Sequence, residues 1–195
     1  MTQDAQDRFE ITPSYMGLDE IVISPPLESA PDDALRPFTA CIWNFEGPER
    51  CQIGHMSGCI GWSAGWTELF ELGDRYSGDA AHLCFVVDQI VESLDEVIDV
   101  VLLDHIEIDS RYRGNRLLRR LLNDLCVTLR LDETATLVAA IVEPLEAATG
   151  RLDTGPTRDQ ALVRLQRAYA HAGFKPWQPP EEAVPSDVWW RLSAD

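Results

Sequence analysis

The 195-residue sequence has no run of about 18 to 20 consecutive apolar residues, the length that a membrane-spanning helix needs. Its start, MTQDAQDRFE, lacks the basic segment and the apolar centre of a signal peptide. We therefore expect a cytoplasmic protein that does not bind a membrane.

The sequence also lacks a cysteine pattern typical of disulfides or zinc sites. The five cysteines are an odd number, and no two of them have CxxC spacing. This pattern predicts neither a disulfide framework nor a zinc site. Buried free thiols are the simplest interpretation, and no metal cofactor is expected.

Basic residues are scarce, because 16 Lys and Arg stand against 33 Asp and Glu and give a net charge of -17. Nucleic-acid binding depends largely on neutralising phosphates with basic side chains, so this balance argues against a nucleic-acid partner. Five arginines nevertheless crowd into one short window: Arg111, Arg113, Arg116, Arg119 and Arg120. Such a cluster is either a solvated helix face with salt bridges or a binding site for an anionic ligand.

A chain of this length with 45% hydrophobic and 25% charged residues is expected to form one domain around one core. Residues 1–37, with repeated Pro, Asp and Ser, are expected to be a partly irregular arm with one strand near residues 21–23, and residues 38–195 the folded domain. Apolar segments over 38–43 and 51–62 predict a hairpin, and helices are favoured over 66–91.

The most informative segment begins with DVVLLDHIEID, an apolar run rich in Val and Ile that predicts a central strand. RYRGN then predicts a tight turn, and LLRRLLNDLCVTL places its leucines on one broad helical face. A second apolar strand over 136–142 follows, so the pattern indicates a parallel βαβ crossover.

The C-terminal part of the sequence predicts one more helix and two closing strands. After a loop over 144–156, Thr157 and Gln160 have the spacing of a capping box at a helix start, and Gly173 is the predicted C-terminal stop. FKPW and VWWRL predict the two strands.

A strand that leads into a glycine-containing turn at a helix N-terminus offers backbone N–H groups and a favourable dipole to an anion such as a diphosphate. Residues 113–118 occupy that place and add an arginine. This segment, IEIDSRYRGNRLLRRLL, together with the later AYAHAGF, resembles the GNAT superfamily of acyl-CoA-dependent N-acyltransferases over residues 98–192.

The resemblance implies a single-domain α/β (α+β) fold with a mixed, partly parallel central sheet flanked by helices. It implies acetyl-CoA or another acyl-CoA as co-substrate, with the backbone of Ile106 and Ile108 pairing with the pantetheine amides. The diphosphate would face the side chain of Arg113 and the backbone N–H groups that follow it, those of Gly114, Asn115, Arg116, Leu117 and Leu118.

Acyl transfer to an amine needs a base for the amine proton and a weak acid for the departing thiolate. The resemblance gives the acid role to Tyr169, whose ring could instead only fill the core. Glu107 and His105 are base candidates because they alternate on the central strand and share one face before the turn. Glu143 is a further candidate, since ligands bind at the carboxyl ends of parallel strands. Glu107 and His105 could each instead be a structural polar residue.

These observations predict an acetyl-CoA-dependent N-acetyltransferase (EC 2.3.1.-) acting on a primary amine of a small molecule or a protein, by direct attack and without a metal. The alternative is a non-catalytic GNAT-like module for protein interaction or CoA sensing, because Arg116 and Leu118 stand where the family has small residues. A homodimer is compatible with both.

Overall fold

The computed structural model describes residues 16–24, 35–45, 50–62, 73, 77–94, 97–113, 116–132, 134–146, 150–151, 156–179 and 186–193. Its main sheet consists of β1 (Met16–Ile23), β2 (Arg36–Asn44), β3 (Cys51–Gly61), β4 (Asp99–Ile108), β5 (Thr136–Ile141), β8 (Lys175–Pro176) and β9 (Val188–Leu192). Two short strands, β6 (Leu145–Glu146) and β7 (Gly150–Arg151), form a separate antiparallel pair.

The seven strands of the main sheet lie in the order β1-β2-β3-β4-β5-β9-β8. Pairing is antiparallel except between β4 and β5, which run parallel. The predicted hairpin is thus β2 and β3, and the predicted parallel crossover joins β4 to β5. The two predicted closing strands pair with each other, and β9 lies between β5 and β8.

In the described parts of the chain, three α-helices cover the two faces of the sheet: α1 (Gly78–Val91), α2 (Leu117–Leu129) and α3 (Pro156–His171). Buried residues of α1 pack on one face of β4 and β5, which we call the α1 face. Residues of α2, together with Tyr169 at the end of α3, pack on the other, the α2 face. Buried apolar side chains on both faces confirm the predicted fold class, a single-domain, mixed and partly parallel sheet flanked by helices.

The helix ends follow from local sequence. Ser77 caps α1 by accepting a hydrogen bond from the backbone N–H of Ala80 at 3.0 Å. Gly173 stops α3 with φ 91°, as predicted. The predicted start of α3 was wrong, because the helix begins at Pro156 and Thr157 lies in its first turn instead of capping it. Proline at the first helical position has a suitable φ and no N–H to satisfy.

β4 changes the side-chain alternation halfway along its length. Leu103 pairs with Gly58 and His105 with Ser57, so Asp104 is an extra residue in a β-bulge. Before the bulge, Leu103 points to the α2 face; after it, the even-numbered Ile106 does so. The bulge therefore turns His105 toward the α1 face.

The residues predicted as an N-terminal arm contribute β1, which forms one edge of the main sheet and is longer than the strand expected over 21–23. Within the described parts of the chain, no helix is long and apolar enough to cross a membrane. The five cysteines are free: Cys59, Cys84 and Cys126 are buried, Cys41 is half-buried and Cys51 is exposed. The expectation of burial is therefore wrong for Cys51.

Candidate functional site

The parallel strands β4 and β5 separate at their carboxyl ends. Their pairing ends at Leu103 and Ala140, whereas β4 continues to Ile108. β5 instead turns toward β9, where the N–H of Val142 donates to the carbonyl of Asp187 at 2.9 Å. Among the described residues, the β5 side of β4 therefore has no strand partner over residues 104–108. A gap of this kind offers backbone donors and acceptors to an extended ligand.

The two isoleucines predicted to bind pantetheine lie beside this gap. Ile106 and Ile108 are half-buried, and their side chains pack against the core on the α2 face. The carbonyl oxygen of Ile108 already accepts a hydrogen bond from Nε of Arg113 at 2.6 Å. A ligand amide that donates to this carbonyl would have to share it with Arg113 or displace it.

The N-terminus of α2 follows the end of β4 within a few residues of the chain. Arg116 is the residue before the helix, with φ 54° and no capping hydrogen bond from its side chain, and the first turn contains no acidic residue. The first backbone N–H groups of a helix have no partner within it. Leu117 is buried and Leu118 is half-buried against the core, so both leucines contribute side chains to packing. Gly114 and Asn115 lie outside the described residues.

The arginine cluster divides into paired and unpaired side chains. Nη2 of Arg111 is 2.8 Å from Oδ2 of Asp109, and Nε of Arg120 is 3.9 Å from Oδ2 of Asp124. These two fit the salt-bridge interpretation. Arg113 and Arg116 are exposed and make no ion pair with any carboxylate in the described parts of the chain. These two guanidinium groups are therefore available to an anion.

Asp109 contributes one negative charge to this region. Its hydrogen bonds with Arg111 and, to a smaller extent, the charge of the nearby Arg113 lower the pKa of the carboxyl to about 2. The carboxylate is thus ionised at neutral pH. Two arginines act on this carboxylate, Arg111 and Arg113, so an excess of positive charge remains beside it.

A shallow cleft of about 490 Å³ joins this turn to the α1 face of β3 and β4. It is lined by Gln52, Ile53, Gly54, His55, Glu107, Asp109, Ser110 and Arg113. The guanidinium of Arg113 and the carboxylate of Glu107 therefore border the same space. An anionic ligand at the turn and a proton acceptor on β4 can be neighbours in this arrangement.

His105 and Glu107 share one face of β4, with Nε2 of His105 lying 3.8 Å from Oε2 of Glu107. A third residue, His55, joins them from β3. It pairs directly with Glu107 across the strands, and its Nδ1 lies 3.8 Å from the same Oε2. The imidazole rings of His55 and His105 stack with centroids 4.9 Å apart. No local sequence pattern indicates His55, because its contact depends on the register between β3 and β4.

Tyr169 is buried on the α2 face, with its ring edge against Phe174 at a centroid distance of 4.9 Å. Burial raises the pKa of its phenol well above the usual value, so the hydroxyl stays protonated. No described residue makes a hydrogen bond to this hydroxyl. His105 and Glu107 lie on the other face, so Tyr169 can approach them only through the gap between β4 and β5.

Glu143 lies just beyond the end of β5, as predicted. Its Oε1 is 3.9 Å from Nη2 of Arg158 on α3, and its side chain is 20% exposed. The described contacts place Glu143 against α3 and show none with the cluster of His55, His105 and Glu107. Of the predicted base candidates, the structure brings together His105 and Glu107.

No protein-family model matches the chain, and no curated protein matches it. Solved structures align with 80% of it, among them the apo form of a mutant agmatine N-acetyltransferase (13% identity, 75% of that chain covered, TM-score 0.36). Another is the polyamine N-acetyltransferase of Drosophila melanogaster (12% identity, 74% of that chain covered, TM-score 0.38). A likeness of this degree does not establish an activity for this chain.

Proposed function

We propose that the chain is an N-acyltransferase that moves an acetyl group from acetyl-CoA to a primary amine. The observation that supports this most strongly is the gap beside β4, where five residues of a central strand extend past their parallel partner toward the N-terminus of α2. A pantetheine arm has amide groups spaced along an extended chain, and such a chain can pair with a free strand edge.

The diphosphate of CoA would lie at the turn between β4 and α2. Backbone N–H groups at the start of a helix and a nearby guanidinium stabilise such an anion. Arg113 and Arg116, which make no ion pair with a described carboxylate, stand at this position, and Arg113 also lines the cleft. Leu118 adds bulk next to the backbone, but its side chain packs partly against the core.

In the transfer itself, the amine nitrogen attacks the thioester carbonyl and forms the amide bond as the carbon–sulfur bond breaks. Glu107 or His105 accepts the proton that the amine loses, and the thiolate gains a proton from Tyr169. A carboxylate in an acidic protein also attracts a cationic amine to the cleft. Free CoA and the N-acyl amine are the products.

Binding of acetyl-CoA is the first test, measured by calorimetry and by thermal shift, because a ligand that binds only the folded state raises its apparent stability. Arg113→Ala should weaken acetyl-CoA binding by about 10-fold, and more at low salt, because the contact is charge-assisted. Arg164→Ala, which removes one exposed positive charge from α3, should leave the affinity unchanged. Equal losses in both variants would show that only the overall charge matters.

Tyr169→Phe tests the acid. We expect turnover to fall by about 100-fold with little change in acetyl-CoA affinity, since one proton transfer typically contributes that much. Stability should be retained, because no described residue makes a hydrogen bond to the hydroxyl. Unchanged turnover would leave Tyr169 with only its packing role.

A non-catalytic module is the second candidate, favoured by Arg116 and Leu118 at the turn and by the carbonyl of Ile108 that Arg113 already occupies. This candidate predicts no heat on mixing with acetyl-CoA, or CoA binding without turnover for any amine. Either result would replace the acyltransferase proposal.

A further inference from the structure

The cluster of His55, His105 and Glu107 is the one group of potential metal ligands that the described residues bring together on three side chains. The cluster lies across two paired strands, with His55 on β3 and the other two residues on β4. Glu107 pairs with His55, and His105 pairs with Ser57. The ligand atoms of the three residues all lie within 4.8 Å of one another. Rigid strands position such atoms better than loops do.

The distances fit a metal ion with small adjustments. Oε2 of Glu107 is 3.8 Å from a ring nitrogen of each histidine. Around a tetrahedral zinc ion with ligand bonds of about 2.0 to 2.1 Å, ligand atoms lie roughly 3.3 to 3.5 Å apart. Shifts of a few tenths of an ångström would close these two distances, and the two stacked imidazole rings must also turn so that their nitrogens converge on one ion. The side chains are 47% (His55), 29% (His105) and 43% (Glu107) exposed, so a cation can reach them and they have room to move.

The charges in the cluster also favour a cation. Glu107 has no lysine or arginine partner in the described parts of the chain, and its recorded ion-pair contacts are with the two histidines alone. Bound to a divalent ion, two imidazoles and one carboxylate leave a fourth position open for water, the pattern of zinc sites with an exchangeable ligand. The net charge of -17 raises the local concentration of cations at the surface.

We propose that His55, His105 and Glu107 bind one divalent transition-metal cation, with zinc as the expected occupant. Imidazole nitrogen selects Zn²⁺, Cu²⁺, Ni²⁺ or Co²⁺ over the oxygen-seeking Mg²⁺ and Ca²⁺. The site shares His105 and Glu107 with the proposed transfer reaction, and a metal bound there would remove both from the role of base. Zinc would then inhibit the transferase.

Zinc binding is measured by titration against a chromophoric zinc indicator, with no acyl-CoA or amine present. Failure of the metal site and failure of the proposed transfer reaction are therefore separate results. All variants carry Cys51→Ser, because the exposed thiol of Cys51 is itself a zinc ligand. The parent should bind one equivalent of Zn²⁺, and excess Mg²⁺ should not displace it.

Three substitutions remove one ligand each: His55→Ala, His105→Asn and Glu107→Gln. Each should weaken zinc binding by at least about 10-fold, since even residues that only support a metal ligand contribute 10- to 100-fold. The matched control is His82→Ala, which removes a histidine that lies 3.3 Å from Asp187 and does not belong to the cluster. It should bind zinc like the parent. No binding by the parent, or equal binding by all four variants, would overturn the proposal.

Circular dichroism shows whether each variant folds. His55→Ala changes the most exposed of the three side chains and is the variant most certain to fold, so it decides the test if the others do not. The unsubstituted protein gives a second reading through modification by diethyl pyrocarbonate, located by mass spectrometry. Zinc should protect His55 and His105 and leave His82 and His171 reactive. Protection of the latter pair instead would refute the site.

Discussion

Gly54 is the residue at which the fold and the candidate site depend most directly on a missing side chain. It lies in β3, pairs with Ile108 and lines the cleft. A Cβ atom placed on Gly54 would lie 2.1 Å from the carbonyl oxygen of Glu107 and 3.1 Å from the Cα of Ile108. Because ordinary carbon–oxygen contacts in sheets are about 3.3 Å or longer, Gly54→Ala must push β3 and β4 apart by roughly 1 Å.

The cost of that displacement can be worked out in two parts. Weakening about two ladder hydrogen bonds costs about 1 kcal/mol each, and overpacking adds about 1 to 3 kcal/mol. Gly54→Ala should therefore lower the free energy of unfolding by about 3 to 5 kcal/mol, a large share of the 5 to 15 kcal/mol typical of a domain. The separated strands should also hold His55 away from Glu107, so zinc affinity should fall in parallel.

Urea unfolding followed by circular dichroism measures the stability change, provided that the slope with denaturant stays constant. Gly78→Ala is the matched control, because a Cβ there meets no atom within 4 Å at the first residue of α1. Alanine at that position should leave stability unchanged or raise it by up to about 1 kcal/mol. A Gly54→Ala protein within about 0.5 kcal/mol of the parent would refute the close approach of the two strands.

Two further predictions concern the helices and the thiols. Arg130 ends α2 in the left-handed region with φ 55°, so Arg130→Gly should raise the free energy of unfolding by up to about 1 kcal/mol relative to Arg130→Ala, measured by urea unfolding. A less stable glycine variant would argue against that conformation. Burial raises the pKa of Cys59 and that of Cys84 to about 12, so at pH 8 only about one in 10⁴ of these thiols is ionised. Iodoacetamide should therefore label Cys51 long before either of them in the native protein, as mass spectrometry would show. Labelling of Cys59 or Cys84 at the rate of Cys51 would contradict their burial.

Much of the fold was predictable because its signals are local. The apolar run of β4, the leucine face of α2 and the run of β5 follow one another within about 45 residues, and chain chirality favours joining such units as a parallel crossover. The end of α3 at Gly173 is equally local, since glycine adopts positive φ without penalty. The start of α3 was misplaced because Pro156 and Thr157 both carry helix-start signals, and proline took the first position.

The site was predictable only in part, because two of its features depend on long-range register. His105 and Glu107 were placed on one face by alternation along a single strand, which is observed, although their role stays a prediction. His55 is 50 residues away in sequence from His105, and nothing in its neighbourhood indicates a partner. The bulge at Asp104 was also not predicted, since an aspartate among apolar residues has no distinctive pattern. Strand register is set by the packing of whole faces rather than by local sequence.

The bulge at Asp104 reverses the side-chain alternation of β4. Ahead of it, odd-numbered residues face α2, and behind it the even-numbered ones do. The α2 face is thus formed by odd-numbered residues in one half of β4 and by even-numbered residues in the other. The two halves can therefore accumulate substitutions independently. If Asp104 instead took a regular place in the pairing with β3, one alternation would run through β4, and it would turn His105 and Glu107 into the leucine-rich interior while exposing Ile106 and Ile108. Deleting Asp104 would keep His105 and Glu107 on the α1 face, because Leu103 and His105 would then pair with Gly58 and Ser57 without a bulge.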